Sequence, residues 1–289
     1  MITETVITKS GREYTIEKDD RMYARRLGPK YLHYQINNIR FAYDICTAKP
    51  QVRTMIDCGM NVGMNTIEYA TFAQRVVGYD PDPLMYKLAV HNIIQNKMKW
   101  DDTLPYMWSH SREITGHIDT HRVALSNTSG NAKLIIHPCN RGHNHVWNGV
   151  KRTEKELLPV DQRCLDDYAF EDVDYIKIDT EGHEFPLLEG AQKTIDSNRP
   201  VVQCEIIAEQ CRRYNYTAED IWQYFTSRDY RVFTRDHIER THGISTVHLG
   251  RGRYRIHHNG ARIFRNMDFW FIPAEHPWIA QNPMANLFE

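Results

Sequence analysis

An α/β fold with a doubly wound, mostly parallel sheet is predicted by three observations. Short apolar runs alternate with stretches of helical spacing along the chain. A glycine-bearing loop, Asp57-Cys-Gly-Met-Asn-Val-Gly63, joins the first buried-type run to a helical pattern. Two further runs, at 76–80 and 174–179, end in the carboxylates Asp80 and Asp179. Open α/β sheets bind their ligands at the carboxyl ends of the strands, so acids placed there are candidates for chemistry.

The elements follow in order. Residues 1–50 form an N-terminal extension, with a hairpin about Ser10-Gly11 and a helical stretch over 31–48. Residues 51–289 form one domain, with strands expected near 53–57, 76–80, 120–125, 174–179 and 201–206. After the loop, Ile67, Ala70 and Ala73 fall on one helical face. Leu84, Leu88, Ala89 and Ile93 form the core stripe of a helix over 84–95, and Ile221, Trp222 and Phe225 that of a helix over 218–227. The runs 230–234 and 269–273 read as a closing antiparallel pair, and no internal repeat or low-complexity linker interrupts the order.

The loop suggests its ligand. Gly59 and Gly63 permit unusual dihedrals and a close approach to the main chain, while Asn61 and Asn65 supply amides. A dinucleotide site would read G-x-G-x-x-G, but here Asp57 stands inside the pattern and would repel a pyrophosphate. S-adenosylmethionine, with an ammonium and a sulfonium, is the better electrostatic match. Roughly twenty residues on, Asp80 can accept both hydroxyls of a ribose. Pro81 beside it and Pro83 stop the strand. Asp82 either caps the helix beginning near Leu84 or touches the cofactor. Ala124 and Leu125, at the exit of the expected third strand, lie near the adenine, and the helix over 31–48 covers the cofactor's edge.

The third block is the most specific. Val173-Asp-Tyr-Ile-Lys-Ile-Asp-Thr-Glu-Gly-His-Glu-Phe-Pro-Leu-Leu-Glu-Gly-Ala191 closely resembles the corresponding motif of FkbM-type methyltransferases, as do, in the same order, the Asp57–Gly63 loop and Tyr79-Asp80-Pro81. The similarity spans roughly 55–207, with a weaker echo to 273. It implies a class I, Rossmann-like, S-adenosylmethionine-dependent methyltransferase acting on a hydroxyl, often of a sugar or secondary metabolite. Family members commonly carry Glu where this chain has Asp80, one methylene shorter, and Ala where Met60 stands.

Methyl transfer to a hydroxyl needs alignment and a base. Asp179, Glu181 and His183 are the catalytic candidates: the carboxylates can orient the hydroxyl, accept its proton or hold a divalent ion, and His183 has a free pKa suited to base work. Against this, Asp179 can bond backbone amides, Glu181 can hold the cofactor's ammonium, and His183 can be a solvated loop residue. The cluster from His137 to His145, with Cys139, matches no usual zinc spacing. It reads instead as a polar loop over the site, with His143, His145 or Trp147 facing the acceptor, and no metal site is assigned.

Composition sets bounds. A formal net charge of -1 gives no overall nucleic-acid footprint, although Arg251, Arg253, Arg255, Arg262 and Arg265 with His257 and His258 form a basic C-terminal hairpin turning at Asn259-Gly260. That hairpin keeps an RNA methyltransferase open as one alternative; a catalytically silent cofactor-binding module is another. Six cysteines show no paired spacing, Cys58 and Cys204 read as core residues, and disulfides are not expected. No signal peptide and no run long enough for a bilayer are present, so a cytoplasmic enzyme without a membrane partner is expected. Nothing indicates an oligomeric state.

Overall fold

Strands buried at every position need cover on both faces, and β3 (Thr54–Cys58) and β10 (Val173–Ile178) are such strands. The computed structural model describes residues 3–8, 12–18, 35–98, 113–137, 140–149, 157–234, 239–240, 244–248, 254–258, 261–263 and 267–282. In chain order, β1 (Thr3–Ile7) and β2 (Glu13–Glu17) form a hairpin and α1 spans Ile36–Cys46. β3 is followed by α2 (Met64–Tyr69), β4 (Arg75–Tyr79), α3 (Pro83–Met98) and β5 (His117–His121). A small mixed excursion contains β6 (Ala124–Leu125), β7 (Gly130–Ile135), β8 (His145–Val146) and β9 (Leu157–Arg163), with β6 parallel to β9 and the other pairs antiparallel. After β10 come α4 (Glu184–Glu189), α5 (Gln192–Asn198), β11 (Val201–Ile206), α6 (Ala208–Arg212), α7 (Ala218–Thr226) and β12 (Tyr230–Phe233). The chain continues through β13 (Glu239–Arg240), β14 (Ile244–His248), β15 (Tyr254–His258), β16 (Ala261–Ile263), β17 (Met267–Pro273) and α8 (Pro277–Gln281).

The main sheet runs β13-β12-β17-β11-β10-β3-β4-β5. The five strands from β11 to β5 are parallel, and β17 inserts antiparallel between β11 and β12. Alternation sends Ile56, Val77, Ile176, Val202 and Phe271 to one face, under α4, α5 and α7. Met55, Val76, Tyr175, Val201 and Trp270 go to the other, under α1 and α8. The N-terminal hairpin joins a third cluster, where Tyr14 and Ile16 pack on Val62, Met64, Ile67 and Leu88. Asn92 and Asn96 of α3 bond the backbone of β2 and fasten it there.

Several expectations shift. The third parallel strand is 117–121, not 120–125: as an edge strand it is only partly buried and carries no apolar run. The apolar Val123-Ala-Leu belongs to the excursion, where β6 pairs with β9 and not with β7. The helix after the loop stops at Tyr69, and its neighbours Ala70 and Ala73 still pack inward. The antiparallel pair β12–β17 and the helices over 83–98 and 218–226 stand close to their expected bounds. Cys58 and Cys204 are buried core residues. Of the basic hairpin, β15 and β16 pair with His258 opposite Ala261. Asn259, Gly260, Arg251, Arg253 and Arg265 lie outside the described residues, as do Ser10, Gly11, Cys139 and 31–34 of the expected first helix. Among the described residues, no helix is long and apolar enough to cross a membrane.

Candidate active site

The chain leaves β3 through a left-handed turn. Gly59 sits at φ 85° and Gly63 at φ 81°, with Asn61 between them at φ 52°. The N–H groups of Gly59 and Met60 both donate to the Tyr79 carbonyl, each at 2.9 Å, tying the loop to the end of β4. A Cβ on Gly59 would lie 1.9 Å from the Asp179 carbonyl oxygen, so only glycine lets the loop pass the end of β10. Asp57 lies beneath this loop. Its side chain is fully buried, Oδ2 accepts from Thr66 Oγ1 at 2.6 Å, and Oδ1 faces Lys177 Nζ at 3.9 Å. Burial raises its pKa, against the pull of Lys177.

At the end of β4, Asp80 receives one backbone N–H on each oxygen: Asn61 on Oδ2 and Asp82 on Oδ1, both at 2.9 Å. Each oxygen keeps a further lone pair for a hydroxyl donor. Burial pushes this carboxyl up to about 8, although both backbone donors oppose the rise. Asp82 is the cap of α3, accepting from the Leu84 N–H at 2.8 Å. Its second oxygen accepts from Arg141 Nη1 at 2.9 Å and Asn144 Nδ2 at 2.6 Å. One carboxylate therefore starts the helix and anchors the 140–146 loop.

Beyond β10, Asp179 and Glu181 meet Glu205 from the end of β11, with one ligand oxygen of each within 4.8 Å of the others. Glu181 occupies a left-handed conformation at φ 56°, and its Oε2 accepts from Gln210 Nε2 at 2.5 Å. Burial, and then the charge of Asp179, raise both Glu181 and Glu205 well above the ordinary carboxylate range. Lys177, two residues before Asp179 on the same face of β10, donates to its Oδ2 at 2.9 Å. Three converging carboxylates can hold a divalent ion or attract an organic cation.

His183 is buried against Tyr214, with its Nε2 2.9 Å from Ser126 Oγ. Burial, with nearby His145, lowers its pKa to about 4. It is thus neutral across the physiological range, and so acidic an imidazolium gives the ring little drive to take a hydroxyl proton.

These groups open on one cavity of about 450 Å³, within the ~300–1,000 Å³ usual for small-molecule sites. Of the residues predicted to bind cofactor, Gly59, Asn61, Asn65, Asp80, Pro81, Ala124 and Leu125 line it; Asp57 and Gly63 stand behind the wall. All three catalytic candidates, Asp179, Glu181 and His183, line it, and so does Gln35 just before α1. The loop from Asn140 to Val146 forms one side, including His143 and His145; Trp147 instead lies under Lys133, 5.3 Å from its ring centroid. Sequence reading missed Lys177, Glu205 and Gln210, all in the wall. Lys177 and Glu205 did leave a signal, as charged residues inside otherwise buried strands.

A parallel sheet closed by an inserted antiparallel strand, with a glycine loop after its first parallel strand and acids at the next strand ends, defines the class I methyltransferase fold. Residues 57–232, more than half of the chain, match the methyltransferase FkbM domain, and the chain belongs to that family. Solved structures similar to it include the methyltransferase FkbM from Methylobacillus flagellatus, with 18% identity, a TM-score of 0.43, and coverage of 76% of this chain and 43% of that one. This chain thus spans less than half the length of that protein. Precorrin 8w decarboxylase from Methanobacterium thermoautotrophicum is similar at 9% identity and a TM-score of 0.41, covering 83% and 90%. An rRNA methylase from Streptococcus thermophilus is similar at 9% identity and a TM-score of 0.39, covering 82% and 94%. No curated protein matches the sequence.

Proposed function

We propose that this chain is an S-adenosylmethionine-dependent O-methyltransferase whose acceptor is a hydroxyl of a sugar or another small, uncharged metabolite. The observation that carries the reading is a single cavity at the carboxyl ends of β3, β4, β10 and β11, with an acid at Asp80 and an acidic cluster at Asp179, Glu181 and Glu205. The fit to the cofactor is chemical: Asp80 keeps free lone pairs on both oxygens for the ribose hydroxyls, and the cluster supplies negative charge for an ammonium and a sulfonium. When bound, S-adenosylmethionine supplies an electrophilic methyl group. The Gly59–Asn65 backbone would hold the cofactor's amino-acid portion and Ala124 and Leu125 its base, while Asp57 braces the loop from below through Thr66.

Asp179 takes the proton of the acceptor hydroxyl as its oxygen attacks. His183, neutral and tied to Ser126, orients the acceptor by hydrogen bonding. An anionic acceptor such as a phosphorylated sugar or an RNA backbone would meet the acidic wall, which favours neutral hydroxyl compounds. Calorimetry with S-adenosylhomocysteine tests the cofactor half, and absence of binding at millimolar concentration would remove it. Incubation with methyl-labelled S-adenosylmethionine and fractionated neutral metabolites, with product mass as the readout, tests the acceptor half. Label found only in amines or nucleic acid would sink that part.

A further inference from the structure

Asn65 is buried in the first turn of α2, with 7% of its surface exposed. A helix gains nothing from asparagine there, since the side chain competes with the backbone for hydrogen bonds and an apolar residue would fill a buried position at lower cost. Its amide does not cap α2, which starts at Gly63 without a side-chain cap. The nitrogen end is committed elsewhere: Nδ2 donates to Oε1 of Gln35, thirty residues earlier in the chain.

That bond fixes which way the amide faces. Gln35 Oε1 can only accept, so it takes the Asn65 nitrogen and leaves Oδ1 turned away from it. Oδ1 is buried and accepts from no group among the described residues, and both Asn65 and Gln35 line the cavity. A buried carbonyl oxygen without a donor bears the whole cost of its desolvation, so a donor arriving with a ligand explains the arrangement where packing does not. Gln35 is itself held by the core. Its carbonyl accepts the N–H groups of Asn38 and Ile39 at 2.9 and 3.1 Å as α1 begins. Asn38 Nδ2 donates to Asp268 Oδ2 at 2.7 Å, and Phe41 packs edge-on against Trp270 and Trp278, with ring centroids 4.8 and 5.5 Å away.

The chemistry of the cofactor narrows the donor. In the reading above, Asp80 takes the ribose, Ala124 and Leu125 the base, and the Gly59–Asn65 loop the amino-acid portion. That portion carries an ammonium, which donates, and a carboxylate, which only accepts; an amide oxygen attracts the first and repels the second. We propose that Asn65 Oδ1 binds the ammonium of the cofactor's amino-acid portion and that Gln35 is the positioning residue that aims it. The inference rests on the S-adenosylmethionine reading and makes the N-terminal extension part of the cofactor site.

Isothermal calorimetry on the full chain compares three ligands: S-adenosylhomocysteine, its decarboxylated form, which keeps the amine alone, and methylthioadenosine, which lacks both groups. Asn65→Leu is expected to weaken the first two by about tenfold or more, the size of one hydrogen bond to a charged group, and to leave methylthioadenosine within about twofold. Gln35→Leu should show the same pattern, and Gln35→Glu, which retains an accepting oxygen for Asn65 Nδ2, should restore tight binding of the two amines. Equal loss for all three ligands would make Asn65 a packing residue, and loss confined to S-adenosylhomocysteine would place the carboxylate there; either result overturns the proposal, as do unchanged affinities. Should Asn65→Leu fail to fold, Gln35→Leu at its half-buried position decides by the same three affinities. The unaltered protein separates this inference from the one beneath it. Failure to bind any of the three ligands removes the cofactor reading itself, whereas binding of all three that neither leucine variant alters removes only the roles of Asn65 and Gln35.

Discussion

Asp80 has both carboxylate oxygens fixed by backbone N–H donors, yet burial holds its proton until about pH 8. A ribose diol asks for two acceptors, and only the ionised carboxylate offers both oxygens. The sign follows: below pH 8 the folded protein carries a proton that the nucleoside must displace or accommodate, so affinity rises with pH. S-adenosylhomocysteine is expected to bind about fivefold more tightly at pH 9 than at pH 7, the equivalent of roughly 1 kcal/mol. Asp80→Asn should abolish that dependence and weaken binding at pH 9 by about 1–2 kcal/mol. Isothermal calorimetry at the two pH values reads both effects, and an affinity independent of pH in the unaltered protein would remove Asp80 from the ribose site. His183 illustrates the opposite use of burial. The same desolvation that raises an acid lowers an imidazole, to about 4 here, and this separates a hydrogen-bonding histidine from a proton-taking carboxylate.

At the scale of elements, two junctions hold the cavity in shape. The first is the crossing of the Gly59 turn over the end of β10, where an added methyl would sit 1.9 Å from the Asp179 carbonyl. Gly59→Ala is therefore expected to cost about 2–3 kcal/mol, combining positive-φ strain with the clash, and to weaken S-adenosylhomocysteine binding in parallel. Urea denaturation would show it, and a loss under 0.5 kcal/mol would mean that the turn relaxes freely. The second junction is Asp82. Asp82→Ala removes the α3 cap and two of the bonds that anchor the 140–146 loop, so hydrogen exchange should accelerate at Asn144 and His145 as well as in the first turn of α3. Asp82→Asn, which retains a cap, should spare the helix. How legible each element was follows from its burial. β3, β10 and β11 are covered on both faces and announced themselves as apolar runs, whereas the edge strand 117–121 is half-exposed and lost the contest to Val123-Ala-Leu. The glycine loop and the strand-end acids were readable because local backbone chemistry dictates them. Glu205 and Lys177 were not assigned roles: Glu205 meets Asp179 and Glu181 from a different strand, and Lys177, although two residues from Asp179, also faces Asp57 across the sheet, a convergence that no local pattern encodes.

The whole molecule balances buried groups of opposite response to pH. Asp80, Glu181 and Glu205 bind protons more tightly folded than unfolded, so each of them costs stability as pH rises from about 4 toward its own raised value. His183 and His276 work the other way, since both remain neutral when folded down to about 4, whereas the unfolded chain protonates them near 6.5. Between those values the unfolded state holds the extra proton, and stability falls as pH falls. His276 offers a clean measurement because it is not among the residues that line the cavity. Its side chain is 4% exposed and its Nδ1 accepts the Trp278 N–H at 3.3 Å, capping α8, whose Trp278 packs against Phe41 and Phe233. Burial is the main cause of its lowered pKa, with the charge of Lys49 second. His276→Asn keeps a capping acceptor but removes the titration. Its stability relative to the unaltered protein should accordingly improve by about 2 kcal/mol as pH drops from 7 to 4.5, measured by urea unfolding at each pH. Taking the difference between the two proteins cancels the buried acids, which titrate identically in both. A difference that stays flat with pH would place that imidazole in water, and with it the docking of α8 against α1 would lose its support.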